Sequence, residues 1–120
     1  MIGTTFISGE IDLALVSKEK RLEIKKIVES FFGAKYSLEV YKEDYLVFEE
    51  EWENHEDTDA FMQFLLQLIP FLDKKSVARL MCEGETHSDY WSTIIKNGKL
   101  YIQKYKLKPA SDKREFFYKQ

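Results

Sequence analysis

The side chains able to act as ligands, nucleophiles or general acids and bases are concentrated in a few places. Glu83, Glu85, His87 and Asp89 recur at every second position. On an extended segment that spacing turns all four to one side, and carboxylates with one imidazole are adequate ligands for a divalent ion. A small metal-dependent hydrolase or lyase would be built on this quartet. Against it, Gly84 interrupts the run and the spacing matches no established metal site, so the plainer reading is a polar loop between strands. Cys82 precedes it and is the only thiol. A catalytic cysteine needs a base to hold it as thiolate, and spacing places neither His55 nor His87 beside it. An inert buried thiol is therefore expected, and no catalytic residue is assigned.

The charges themselves are unevenly divided. From Glu39 to Asp59 there are ten acids and one base, a net −9; from Lys96 to Gln120 there are eight bases and two acids, a net +6. The densest acidic part is Glu49, Glu50, Glu51, Glu53, Glu56, Asp57 and Asp59, with Trp52 and His55 within it. Such patches can steer a basic partner to one surface and an acidic one to another, and an acidic surface can imitate a nucleic-acid backbone. The competing reading is a set of solvated strand ends and loops that partly neutralise each other in the fold. The basic stretch also carries aromatics: Lys96, Lys99, Tyr101, Lys104, Tyr105, Lys106 and Lys108. Aromatics beside lysines on a sheet can stack bases, but lysines also protect edge strands from aggregation. Arginine is scarce (Arg21, Arg79, Arg114), and no RNP-like motif is present.

Composition limits the options further. The chain has 120 residues, 44% apolar and 32% charged, with a formal charge of −3. That is the profile of one folded domain whose core needs no metal or disulfide, and it argues against a dedicated nucleic-acid binder. A single cysteine excludes an internal disulfide and fits a reducing, cytoplasmic compartment. The start, Met1-Ile2-Gly3-Thr4-Thr5-Phe6, has no basic region ahead of an apolar run, so no secretory signal is expected. The most apolar segment, Ala60 to Leu72, is broken by Gln63, Gln67 and Pro70 and is shorter than the roughly 20 residues a membrane span requires. No phosphate loop, dinucleotide-binding glycine pattern, nucleophile elbow or HExxH motif occurs, and no cofactor is expected.

The elements that must position these residues are set by periodicity. Residues 6–16 read as a strand with Ile7, Ile11, Leu13 and Leu15 on one face, Gly9 marking a bulge or edge feature, and Ser17 capping the next segment. Residues 18–32 read as a helix carrying Ile24, Ile27, Val28 and Phe31 on its apolar stripe, closed by Gly33. Residues 35–52 read as a hairpin. Tyr36, Leu38 and Val40 alternate in its first strand, Lys42-Glu43-Asp44 makes the turn, and Trp52 is in phase with Leu46 and Phe48 in the second. Residues 58–72 read as a helix capped by Asp57 or Thr58, with a narrow polar stripe of Asp59, Gln63 and Gln67, bent or ended by Pro70. Residues 76–83 read as a strand. Runs 90–96 and 99–107 flank Asn97-Gly98, the strongest short hairpin signal a sequence carries.

This order, β-α-β-β-α-β, predicts an α+β fold: a ferredoxin-like antiparallel sheet with two helices on one face plus an extra C-terminal β-hairpin. Residues 1–108 form the single domain and 109–120 a tail, whose Phe116-Phe117-Tyr118 would dock on the domain or on a second subunit. The stretch from Glu83 through Tyr90-Trp91, then Asn97-Gly98-Lys99, resembles the ends of small ferredoxin-like proteins encoded by phages and mobile elements. The likeness covers the last third of the chain and the element order. It implies a fold and a genomic context rather than a reaction, and carries no catalytic residues over.

The expectation is a non-enzymatic protein that covers a macromolecule's surface, in the manner of a phage-type inhibitor or immunity protein. Glu49, Glu50, Glu51, Trp52, Glu53, Tyr90 and Trp91 would form the contact, by electrostatic steering and then aromatic anchoring. A protein partner is expected, with a homodimer as one form of it; nucleic acid is the less favoured partner and no membrane is involved. The alternatives are the metal enzyme and a nucleic-acid-binding module built on the basic hairpin.

Overall fold

The structure, a computed structural model, describes residues 4–53, 55–84 and 90–105. It is an α+β fold with a five-stranded antiparallel sheet and three helices. The strands are β1 (Thr5–Asp12), β2 (Tyr45–Trp52), β3 (Ala78–Glu83), β4 (Tyr90–Lys96) and β5 (Lys99–Tyr105), in the order β2-β1-β3-β4-β5. The helices are α1 (Lys18–Phe32), α2 (Ser37–Val40) and α3 (His55–Leu68), the last continuing into a 3-10 turn, Ile69–Phe71. Because β1 runs antiparallel to both neighbours, β2 and β3 run in the same direction on either side of it. The metal quartet's Glu85, His87 and Asp89 lie outside the described residues, as do the polar tail and its three aromatics.

Local chemistry explains most element boundaries. Ser17 caps α1 by accepting from the Lys20 backbone N–H, and Gly33 closes it at φ 89°. Ile24 and Val28 are buried, with Phe31 packed against the core. Asn97 and Gly98 both take positive φ, 54° and 73°, the tight hairpin geometry their types favour. Pro70 lies in the 3-10 turn that ends α3, as its missing N–H requires.

Several boundaries differ from the sequence reading. β1 ends at Asp12 rather than continuing to residue 16. Asp12 accepts from the Ala14 N–H through its carboxylate, and Val16 N–H bonds the Leu13 carbonyl. The chain turns there, so Leu13 and Val16 are buried while Leu15 is 60% exposed. The alternation of Tyr36, Leu38 and Val40 does not make a strand. Residues 37–40 form the single turn α2, in which Tyr41 N–H bonds the Ser37 carbonyl and the Ser37 hydroxyl bonds the Ala34 carbonyl. Ser37 and Val40, three apart, are the buried pair, a helical spacing that satisfies the core as well as alternation would. Only Tyr41 pairs with β2, at Leu46. Finally, α3 begins three residues before its expected start, which puts Asp57 in its first turn, where a carboxylate complements the helix dipole.

One face of the sheet is the core. Ile7, Ile11, Leu46, Phe48, Leu80, Cys82 and Ile95 meet α1 and α3 there. Phe31 stacks on Phe64 at 4.7 Å, and Phe61 meets Phe48 edge-on at 5.3 Å. α3 is apolar nearly all round because it buries Phe61, Phe64, Leu65 and Leu68 while Asp59, Gln63 and Gln67 form its exposed stripe.

Candidate interaction surface

Alternation along each strand sends every second side chain to the face opposite the helices. The register sets these side chains in rows across the five strands. One row runs Glu51, Phe6, Glu83, Tyr90, Tyr105; the next Glu49, Ser8, Met81, Ser92, Gln103; a third Val47, Glu10, Arg79, Ile94, Tyr101. Phe6 and Met81 in the middle of the sheet are 44% and 46% exposed, and Tyr101 at its edge 43%. Other large apolar side chains are exposed elsewhere, Leu38, Val77 and Leu15 among them; what sets Phe6 and Met81 apart is their place on the strands β1 and β3 at the middle of the sheet.

The exposed charges on this face are unevenly placed, with Arg79 of β3 directly across from Glu10 of β1. Glu10, Glu49, Glu51 and Glu83 are exposed on the β2-β1-β3 side; Lys96 and Lys99 are exposed on the β4-β5 hairpin. From β2 to β5 there are four strand spacings, roughly 19 Å, well beyond the roughly 8 Å screening length at physiological salt. Lys96 and Lys99 are therefore too far from Glu49 and Glu51 to neutralise them. Among the described residues none of Glu10, Glu49, Glu51 and Glu83 enters an ion pair; the pairs present are Arg21–Asp44 and Lys26–Glu23, on the loop and helix side.

The basic end is internally braced. Arg79 donates to the Tyr105 hydroxyl at 2.7 Å, that hydroxyl lies 2.7 Å from Ser92 Oγ, and Ser92 donates to Met81 Sδ at 3.3 Å. This chain buries Ser92 and ties β5 through β4 to β3. Tyr105→Phe is expected to lower stability by about 1 kcal/mol, the worth of a lost hydrogen bond with one partner left underused, as read by urea denaturation.

The structure divides the residues singled out from the sequence. Glu49, Glu51 and Tyr90 share the open face, whereas Glu50, Trp52 and Trp91 project to the helix side; Glu53 comes just after β2 and is exposed. Trp91 packs against the core opposite Cys82, so Tyr90 and Trp91 are neighbours in sequence that face opposite ways. Cys82 is buried 3.6 Å from Thr93 Oγ1, and burial pushes its thiol up to about 11. A thiol so protonated is a poor nucleophile. Glu83 is exposed on the open face. Phe6 and Met81 were not legible as site residues. The available signal was their phase, opposite to Ile7 and Cys82.

Glu50 stands apart from its neighbours. It is half-buried on the helix side and accepts a 3.0 Å hydrogen bond from the Tyr36 hydroxyl. Desolvation raises its pKa, with Glu39 and Glu49 adding to the rise and the Tyr36 bond opposing it. Tyr36, itself desolvated and facing that carboxylate, is pushed up to about 12 and stays a donor at physiological pH. A carboxyl raised in the fold contributes stability below its unfolded pKa that is lost as pH rises through the folded one. Glu50→Gln, which can still accept from Tyr36, is therefore expected to melt above the unmodified protein at pH 7. The gap should close near pH 4, which thermal melts at both pH values will show.

A scan against family models finds no match to this chain, and searches of curated proteins and of solved structures find none either.

Proposed function

We propose that this protein is a non-enzymatic macromolecule-binding protein that docks the sheet face opposite its helices, which no other described element covers, onto a basic protein surface and occludes it. The observation that carries this reading is the open face itself. Phe6 and Met81 lie exposed at its centre, flanked by Glu10, Glu49, Glu51 and Glu83 with no ion pair to any of them among the described residues. A desolvated apolar centre with a charged rim is the anatomy of a protein–protein contact, and unneutralised carboxylates favour a lysine- or arginine-rich partner. A phage-type inhibitor or immunity role in the cytoplasm, acting as monomer or homodimer, is the natural form of such a protein. Two parallel strands on either side of β1, with α3 linking them, support the ferredoxin-like reading, with the β4-β5 hairpin as its extension. No helix among the described residues is long and apolar enough to cross a membrane.

The test is affinity capture at low salt with the tagged protein beside a Glu49→Lys, Glu51→Lys double variant. One basic protein retained by the first and lost by the second supports the reading. Recovery of nucleic acid instead, lost as salt rises, would replace it with the binding module of the Lys96–Lys99 hairpin. Recovery of nothing, with a stoichiometric divalent metal in the purified protein, would move the Glu83, Glu85, His87 and Asp89 enzyme ahead.

A further inference from the structure

On the helix-covered side, where β2 ends at the edge of the sheet, there is a cleft of about 410 Å³. Phe31 and Phe32 from the end of α1, Tyr36 ahead of α2 and Trp52 at the end of β2 supply its aromatic walls; Glu50 and Asp57 supply carboxylates. The rings are held from behind by the core. Phe31 stacks on Phe64 at 4.7 Å, Trp52 lies 4.9 Å from Phe61, and Phe31 and Trp52 meet edge to face at 6.4 Å. Phe32 and Tyr36 are 5.5 Å apart, and the Tyr36 hydroxyl orients the Glu50 carboxylate. The walls are thus fixed before any ligand arrives, which spares the cost of ordering them.

The chemistry of this cleft has one complement. Ring faces are electronegative and attract cations. Glu50 is withdrawn from water among them and, among the described residues, has no cationic partner. No group of three or more metal-ligating side chains occurs here among the described residues, and aromatic walls offer a metal no oxygen; a neutral apolar ligand would leave the carboxylate desolvated without return. A cation with an apolar shell satisfies both the rings and the carboxylate. We propose that the cleft binds an alkylammonium ion, with Glu50 as its counter-ion and Trp52, Phe31 and Tyr36 as its aromatic walls. The site lies across the sheet from the open face and stands whether or not that face binds a partner.

The same chemistry is carried by a free small amine and by a methylated lysine side chain, and the experiment separates them. The full chain, labelled with 15N, is titrated at constant ionic strength with choline chloride, with its neutral isostere 3,3-dimethyl-1-butanol, and with a short peptide bearing trimethyllysine. Choline is expected to shift the resonances of residues 31, 32, 36, 50 and 52 saturably, with a dissociation constant of the order of 1–10 mM. The isostere should bind at least tenfold more weakly. Glu50→Gln, which keeps the fold, should weaken choline at least tenfold, and Trp52→Leu by a comparable factor. A peptide much tighter than choline would make the source a protein side chain; equal affinities would make it a free amine. Equal binding of choline and its isostere, shifts confined to other residues, no saturable shift at about 50 mM choline, or undiminished binding by Glu50→Gln would each overturn the proposal.

Discussion

Gly9→Ala is expected to cost the fold about 3 kcal/mol, far more than a single methyl on a strand ordinarily would. Gly9 sits at φ 151° in the middle of β1, between Phe48 on one side and Leu80 on the other. A Cβ built there would meet Leu80 Cδ2 at 2.6 Å, the Arg79 carbonyl oxygen at 2.9 Å and Leu80 Cα at 3.1 Å. Leu80 is 1% exposed and has no free volume to enter. β1 cannot shift either, since it is hydrogen-bonded on both edges. Gly33→Ala is the control: it too has positive φ, 89°, but nothing lies within 4 Å of the added methyl. Urea denaturation should show Gly33→Ala losing about 1–2 kcal/mol from backbone strain alone, its φ and ψ lying in a region open essentially to glycine only, and Gly9→Ala, which adds a steric clash to strain, losing clearly more. Equal losses would mean that the close approach of β1 and β3 is not tight.

The Glu49→Lys, Glu51→Lys pair is expected to weaken the proposed basic partner at least a hundredfold while leaving the fold intact. Both side chains are exposed and project to the open face, opposite Ser8 and Phe6, and lysine on an edge strand is well tolerated. Reversal replaces two attractive contacts with two repulsive ones at the β2 end of the face, and like charges brought together at an interface cost several kcal/mol. The matched control is Glu19→Lys, Glu23→Lys on α1, both exposed, which changes net charge by the same amount away from the sheet face. Calorimetry at fixed salt should show the α1 variant within a few-fold of the unmodified protein. If both variants lose affinity equally, the partner responds to net charge and the open face is not its docking surface.

These two expectations rest on information of different kinds. The unusual character of Gly9 was visible as a glycine inside an alternating run, but its need was not. That need comes from Leu80, 71 positions away in the chain, arriving at its back. The acidic run was visible in full as one patch, and the strand register is what divides it between the two faces. What periodicity could not say is which half would face away from the helices and which would line a cleft beside α1. Tyr36 shows the limit most plainly. Its alternation with Leu38 and Val40 fits a strand, and only packing of Ser37 and Val40 into the core makes the segment a helical turn, which brings the Tyr36 hydroxyl to Glu50.

By itself, the sequence determined the local features whose causes lie within a few residues of their effects: the Ser17 cap, the Gly33 stop, the Pro70 bend, the Asn97-Gly98 hairpin and the apolar stripes of α1 and α3. Capping, turn geometry and side-chain periodicity are short-range and leave readable patterns. Only the tertiary structure decided the strand order, the distance between the acidic and basic ends, the exposed Phe6–Met81 centre and the aromatic cleft around Glu50. Each of these depends on which strand lies beside which. That is settled by the burial of the whole apolar surface at once, a non-directional force summed over the molecule, and such a sum is written in no single segment of the chain.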